Sequence, residues 1–122
     1  MSLAKTLRSG DTAAKRKLVE TTTATNAPAA TDAGWGTDGA DWIHIYAGFT
    51  GTVTQANVTP WYYSEIAEQW FANDPVVFTA TTKFALTELR GGGEKLYLQV
   101  TAITGTGTVS LWAGRSYDGR SF

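Results

Sequence analysis

Two-residue alternation over Lys95–Gly114, KLYLQVTAITGTGTVSLWAG, limits what this chain can fold into more than any other feature. Leu96, Leu98, Val100 and Ala102 alternate with Tyr97, Gln99, Thr101 and Ile103. Val109, Leu111 and Ala113 alternate with Thr108, Ser110 and Trp112. A strand turns successive side chains to opposite faces, so each set lands on one face of a sheet. The glycines of Thr104-Gly105-Thr106-Gly107 can take the positive φ of a tight turn, and the stretch reads as a two-stranded hairpin. Its apolar face needs a cover, either a second sheet or a neighbouring molecule.

The same pattern recurs along the chain. In Ala40–Phe49, Ile43, Ile45 and Ala47 share one face and Trp42, His44 and Tyr46 the other, with Gly48 and Gly51 marking a bend. Gly51–Val58 reads as a thin strand or bulged loop. Pro60–Phe71 admits a helical face, but its WYY run favours a strand over 61–64, a turn around Ser64–Ala67 and a short strand over 68–71. Pro60 suits a strand start or an edge. Asn73-Asp74-Pro75 is a turn, strands follow over 76–79 and 83–89, and Arg90–Glu94 is a glycine loop. Lys15–Thr23 reads as an edge strand whose lysines discourage uncontrolled pairing, with Leu18 and Val19 on opposite faces.

These segments make about seven or eight short strands at spacings of about 8–12 residues. The expected fold is all-β, a β-sandwich or jelly roll of antiparallel strands with an extended N-terminal arm. The 20 threonines and 15 aromatic residues fit a pleated, half-buried surface, and a hydrophobic fraction of 43% suffices for a core. The expected organisation is a basic arm over 1–23, a flexible linker over 24–39 and the sandwich over 40–122. In the linker, ATNAPAATDAGWGTDG, Trp35 is the one large side chain, placed to lock the segment onto the body or onto a partner.

Charge is divided between the parts. Residues 1–20 carry Lys5, Arg8, Lys15, Arg16 and Lys17 against Asp11 and Glu20, a net of +3, within a chain of net −1. A basic arm on an acidic body suggests attraction between the arm and a neighbour; a solubilising tail is the plainer alternative. The arm lacks aromatics for stacking, which argues against nucleic acid as a partner. No apolar run approaches the roughly 18 residues of a membrane span, so no membrane partner is expected. The N-terminus lacks the apolar core of a signal peptide, so synthesis in the cytoplasm is expected.

Chemistry is sparse. The chain has no cysteine, which removes disulfides, thiolate metal sites and a thiol nucleophile. His44 is the single histidine, on a strand between two isoleucines, without other ligands beside it. It reads as a surface side chain, and no cofactor or metal is expected. Glu65 and Glu68 lie beside Trp61, Tyr62, Tyr63 and Trp70, a mixture found in glycosidases, but neither their spacing nor the chain's size argues for a two-carboxylate cleft. Gly91–Gly93 lacks the context of a phosphate-binding loop. The chain is read as a non-enzyme. Trp61, Tyr62, Tyr63 and Trp70, with Trp112, could instead stack on sugar rings; core filling and subunit contact are the simpler uses.

As a whole, the pattern resembles small structural proteins of tailed-bacteriophage virions. The resemblance rests on the start MSLAKTLRSGDTAAKRKLVETTT, the arm, FALTEL and KLYLQVTAITGTGTVSLWAG within a Thr/Gly/aromatic sandwich. It is one of style, with no diagnostic motif. It implies a capsid decoration (cement) protein, or a tail, neck or fibre subunit. On that reading the chain is a homo-oligomer, with a trimer favoured, located in the virion and bound to major capsid or tail and neck subunits. Carbohydrate is the alternative ligand, for a sugar-binding sandwich module. The expected partner-binding residues are Lys15, Arg16, Lys17, Leu18 and Val19 on the arm, Trp35 in the linker, and Trp61, Tyr62, Tyr63 and Trp70 on the body.

Overall fold

The computed structural model describes residues 15–37, 39–40, 42–80, 84–88 and 95–116. They form nine strands and no helix: β1 (Lys15–Thr21), β2 (Trp35–Gly36), β3 (Trp42–Phe49), β4 (Gln55–Ser64), β5 (Gln69–Ala72), β6 (Val76–Thr79), β7 (Phe84–Glu88), β8 (Lys95–Thr104) and β9 (Val109–Ser116). All pairings are antiparallel. One sheet has the order β1-β9-β3-β7; the other has the order β2-β8-β4-β5, with β6 also paired to β4. The two stack as a β-sandwich.

The core lies where the alternation puts it. Ile43, Ile45 and Ala47 of β3 and Val109, Leu111 and Ala113 of β9 meet Ala56 and Val58 of β4 and Leu96, Leu98 and Val100 of β8. Phe78 of β6 and Trp35 of β2 close the cluster. Each large aliphatic or aromatic side chain so buried stabilises the fold by about 1.5–3 kcal/mol.

The expected hairpin over Lys95–Gly114 does not form. β8 and β9 lie in different sheets, and Gly105–Thr108 carries the chain from one to the other. The Thr50–Thr54 connection between β3 and β4 makes the same crossing alongside. The two corners are zipped by backbone bonds: Thr50 N–H to Thr108 O (3.0 Å), Thr52 N–H to Thr106 O (2.8 Å) and Thr54 N–H to Thr104 O (3.0 Å). Threonine hydroxyls complete the seam, with Thr106 N–H donating to Thr52 Oγ1 (2.9 Å) and Thr108 N–H to Thr50 Oγ1 (2.8 Å). Residues 42–64 and 95–116 therefore act as one bent antiparallel pair shared by both sheets, a way of turning a corner between packed sheets. Glycine is required here. Gly105 has φ +99°, and a Cβ on it would overlap the Thr52 carbonyl.

Two β-bulges correct the face assignments. In β1 the register runs Lys17↔Trp112 and then Val19↔Leu111, leaving Leu18 as an extra residue. A bulge offsets the alternation by one, so Leu18 and Val19 both pack against the core instead of pointing to opposite faces. In β8, Val58↔Val100 is followed by Asn57↔Ala102, which leaves Thr101 extra. Beyond it Ala102 is exposed and Ile103 packs inward, the reverse of simple alternation.

The proposed divisions shift as well. Lys15–Thr21 is the edge strand of the first sheet, paired to β9, so an arm apart from the body is not seen over these residues. Residues 1–14, 89–94 and 117–122 lie outside the described residues, as does the glycine loop expected over Arg90–Glu94. Gly51–Val58 is not a separate thin strand; its second half opens the ten-residue β4. Pro60 sits inside β4, neither at a start nor at a sheet edge. It is tolerated because its backbone faces the gap between β5 and β6, where Pro60 O accepts the Asn73 N–H at 2.8 Å and no ladder donor is needed.

Candidate interaction surfaces

The expected aromatic surface on the WYY strand is largely used by the chain itself. Along β4, Tyr62 points into the core and is buried, while Trp61 and Tyr63 lie on the outer face of their sheet. Trp70 of β5 stands opposite Tyr63, with ring centroids 5.3 Å apart and planes at 69°. Tyr97 of β8 follows, 6.0 Å from Trp70 at 63°. Lys95 Nζ lies 5.0 Å from the Tyr63 ring centroid, a cation–π contact that caps the cluster. These rings meet edge to face, and Trp112 lies on the other sheet. The five residues expected for sugar stacking thus form no coplanar platform.

Residues 24–34 cover this cluster. Trp70 Nε1 donates to Ala29 O (3.1 Å) and the Tyr97 hydroxyl to Asn26 O (3.0 Å). Trp61 Nε1 donates to Gln99 Oε1 (2.9 Å), and Gln99 Nε2 to Thr25 O (3.4 Å). Thr25 joins the β8 edge: its N–H donates to Val100 O (2.8 Å), and Val100 N–H donates to its hydroxyl (2.9 Å). Burial, then the nearby Asp32 charge, hold the Tyr97 hydroxyl above its ordinary pKa. The segment expected to be a flexible linker is a strap whose Ala29 and Asn26 carbonyls accept from the polar tips of Trp70 and Tyr97.

Trp35 leaves the set of partner-binding candidates for the same reason. It is 1% exposed, and the Arg115 guanidinium lies 4.7 Å from its ring centroid. Arg115 is 4% exposed and donates from Nε (3.1 Å) and Nη2 (2.8 Å) to Gly36 O, so the buried cation rests on a carbonyl and a ring face. Tyr62 is removed by its burial at 6% exposure.

The basic strand keeps its place at the surface. Lys15, Arg16 and Lys17 are exposed, whereas Leu18 and Val19 are half-buried in the body's own core. Lys17 Nζ bonds Glu20 Oε1 at 2.7 Å and lies 5.5 Å from the Trp112 ring centroid. That hydrogen bond and the lysine charge hold the Glu20 carboxyl below its ordinary pKa. A groove of about 460 Å³ opens between β1 and the β8 edge, with Arg16, Trp35 and Leu98 among its lining.

Three apolar features outside the expected partner-binding set are open to solvent. On the outer face of the first sheet, Tyr46 (48% exposed) stands opposite Trp112 (38%). The Trp112 ring lies across Gly48, close enough that a Cβ there would sit 2.9 Å from it. Beside these rings is an almost wholly apolar groove of about 270 Å³, lined by Lys15, Tyr46, Trp112, Ala113 and Gly114. The turn between β4 and β5 carries Ile66, fully exposed at its tip. Phe71 and Val77, each 48% exposed, lie on β5 and β6. The outward positions of Tyr46 and Trp112 were readable from their alternation with Ile45 and Leu111; the exposure of Ile66 follows from its place in a turn.

Among the described residues, no group of three or more His, Asp or Glu side chains gathers to hold a metal ion. His44 lies on the outer face of the first sheet, and Glu65 and Glu68 are exposed on the β4–β5 turn. No protein-family model, curated protein or solved structure matches the chain.

Proposed function

We propose that this chain is a non-enzymatic structural subunit of a tailed-bacteriophage virion, a capsid decoration protein that works in many copies on neighbouring subunits. The observation that carries the reading is apolar surface left over after the core is closed: Tyr46, Trp112, Ile66, Phe71 and Val77 remain 38–100% exposed. Exposed apolar surface rimmed by polar groups is characteristic of protein–protein contact. Aromatic residues are enriched at interface cores, and Lys15 and Lys17 beside Trp112 supply a charged rim. Repetition around a symmetry axis would bury these patches in every copy. The phage assignment is supported by the resemblance in residue pattern.

On this reading the protein is made in the cytoplasm of a bacterial host and is carried on the particle as a homo-oligomer, a trimer being favoured. A tail, neck or fibre subunit would use the same surfaces at fewer sites. The test is sedimentation of a lysate containing the tagged chain and phage particles through a density gradient. The chain is expected to migrate with the particles; recovery only among free proteins at the top overturns the proposal.

A further inference from the structure

The turn between β4 and β5 is built against its own conformational interest. Tight turns favour Gly, Asn, Asp and Ser, yet this one reads Ser64-Glu65-Ile66-Ala67-Glu68-Gln69. Glu68 takes φ +56°, the sole positive φ outside glycine among the described residues. Ile66 at the tip is 100% exposed. The turn is nevertheless well held: Glu68 N–H donates to Ser64 O (2.7 Å) and Ala67 N–H to Ser64 Oγ (3.1 Å). Ile66 is thus a branched aliphatic knob on an ordered support, flanked by two carboxylates. A backbone outlier at an ordered, exposed site points toward use of that site.

The first sheet carries the complement. Its outer face has the apolar groove of about 270 Å³ between Tyr46 and Trp112, floored by Gly114 and edged by Lys15. Lys17 lies over the Trp112 ring. Knob and groove are matched in polarity, apolar centre to apolar centre, and in charge, the turn's carboxylates to Lys15 at the groove's edge, Lys17 being bonded to Glu20 of its own strand. The knob belongs to the β4 sheet, and the groove opens on the far side of the other sheet, so one molecule does not fill its own groove.

We propose that the β4–β5 turn of one copy docks into the Tyr46–Trp112 groove of the next, with Ile66 in the groove and the carboxylates of Glu65 and Glu68 toward its Lys15 edge. The contact joins two different patches of the same chain. It is heterologous, and it propagates into a ring or an open array instead of closing a two-fold dimer. This deepens the proposed function by naming the self-contact of a multi-copy subunit, and it rests on that reading.

Mixing two variants tests it. Ile66→Lys disables the knob and leaves the groove; Lys15→Glu combined with Tyr46→Ser disables the groove and leaves the knob. Light scattering after size exclusion should show the wild-type chain assembling with concentration. Each variant alone should raise the dissociation constant for assembly at least tenfold. An equimolar mixture should recover a one-to-one dimer that grows no further, because one intact knob meets one intact groove. Far-UV circular dichroism of each variant should match wild type; if the groove variant is unfolded, Lys15→Glu alone replaces it in the mixture. A wild-type chain monomeric at every concentration overturns the contact. Variants that assemble like wild type, or a mixture that stays monomeric, overturn it as well. If complementation succeeds while the chain ignores particles, the docking stands and the virion reading fails. If Ile66→Lys stays monomeric in the mixture yet still coats particles, the docking fails and the virion reading stands.

Discussion

Replacing Gly105 by Ala should unlock the corner where the two long strands pass between the sheets. Two costs are involved. At φ +99° a side chain is strained, and the left-handed region costs an L-residue about 1–2 kcal/mol. The new Cβ would also lie 2.8 Å from the Thr52 carbonyl carbon and 2.9 Å from Val53 Cα, both backbone atoms that no rotamer change can move. Relief requires the two corners to part. The nearest rungs are Thr52 N–H to Thr106 O and Thr54 N–H to Thr104 O, each worth about 0.5–1.5 kcal/mol net. Strain and two lost rungs together give about 2–5 kcal/mol. Gly39 is the control: its φ is +72°, but a Cβ there meets nothing within 4 Å, so only strain remains. Urea unfolding followed by tryptophan fluorescence should show a clearly larger fall in midpoint for Gly105→Ala than for Gly39→Ala, at similar slopes. Equal falls would refute the interlocked corner.

Three further predictions follow from the packing and the charges. Leu98→Ala, at a site 2% exposed, should cost about 2–5 kcal/mol, while Ala102→Ser beyond the bulge should change stability by less than about 0.5 kcal/mol; comparable effects in denaturant melts would place the core on the wrong face. Deleting residues 1–21 removes β1, takes Leu18 and Val19 off the core and bares the β9 edge, so the melting temperature should fall by several degrees; a truncated chain that melts with the full one would make β1 dispensable. The Glu20 carboxyl should titrate below the ordinary glutamate range, because Lys17 bonds and attracts it. Its folded pKa is depressed, so the pair's small contribution is present above the unfolded pKa and lost as pH falls through the folded one. Lys17→Gln should raise the Glu20 midpoint in an NMR titration, and an unmoved midpoint would disprove the pairing.

The faces of single strands were legible because one-sided burial forces a period of two. Ile43, Ile45 and Ala47, like Leu96, Leu98 and Val100, announce their inward side directly. Which strands pair was not legible in the same way. A glycine turn between alternating segments looks alike whether the ladder doubles back or crosses to another sheet, and the choice at Gly105 is made by Thr50–Thr54, far away in sequence. The bulges at Leu18 and Thr101 shift the pattern by one residue without a compositional mark. The strap over 24–34 reads as a linker because it holds the aromatic cluster through carbonyls of Thr25, Asn26 and Ala29, groups that every residue owns. Aromatic content drew attention to Trp61 and Trp70, which the chain itself engages, and away from Tyr46 and Ile66.

The proposal that this chain coats a virus particle in many copies is tested most plainly by direct imaging of purified particles by cryo-electron microscopy, with copy number checked by quantitative mass spectrometry. The expected result is density for the two-sheet sandwich repeated over the shell, in roughly hundreds of copies per particle as shell symmetry requires. About three to eighteen copies confined to the tail or neck would move the protein to that site. Particles that lack it would contradict the claim.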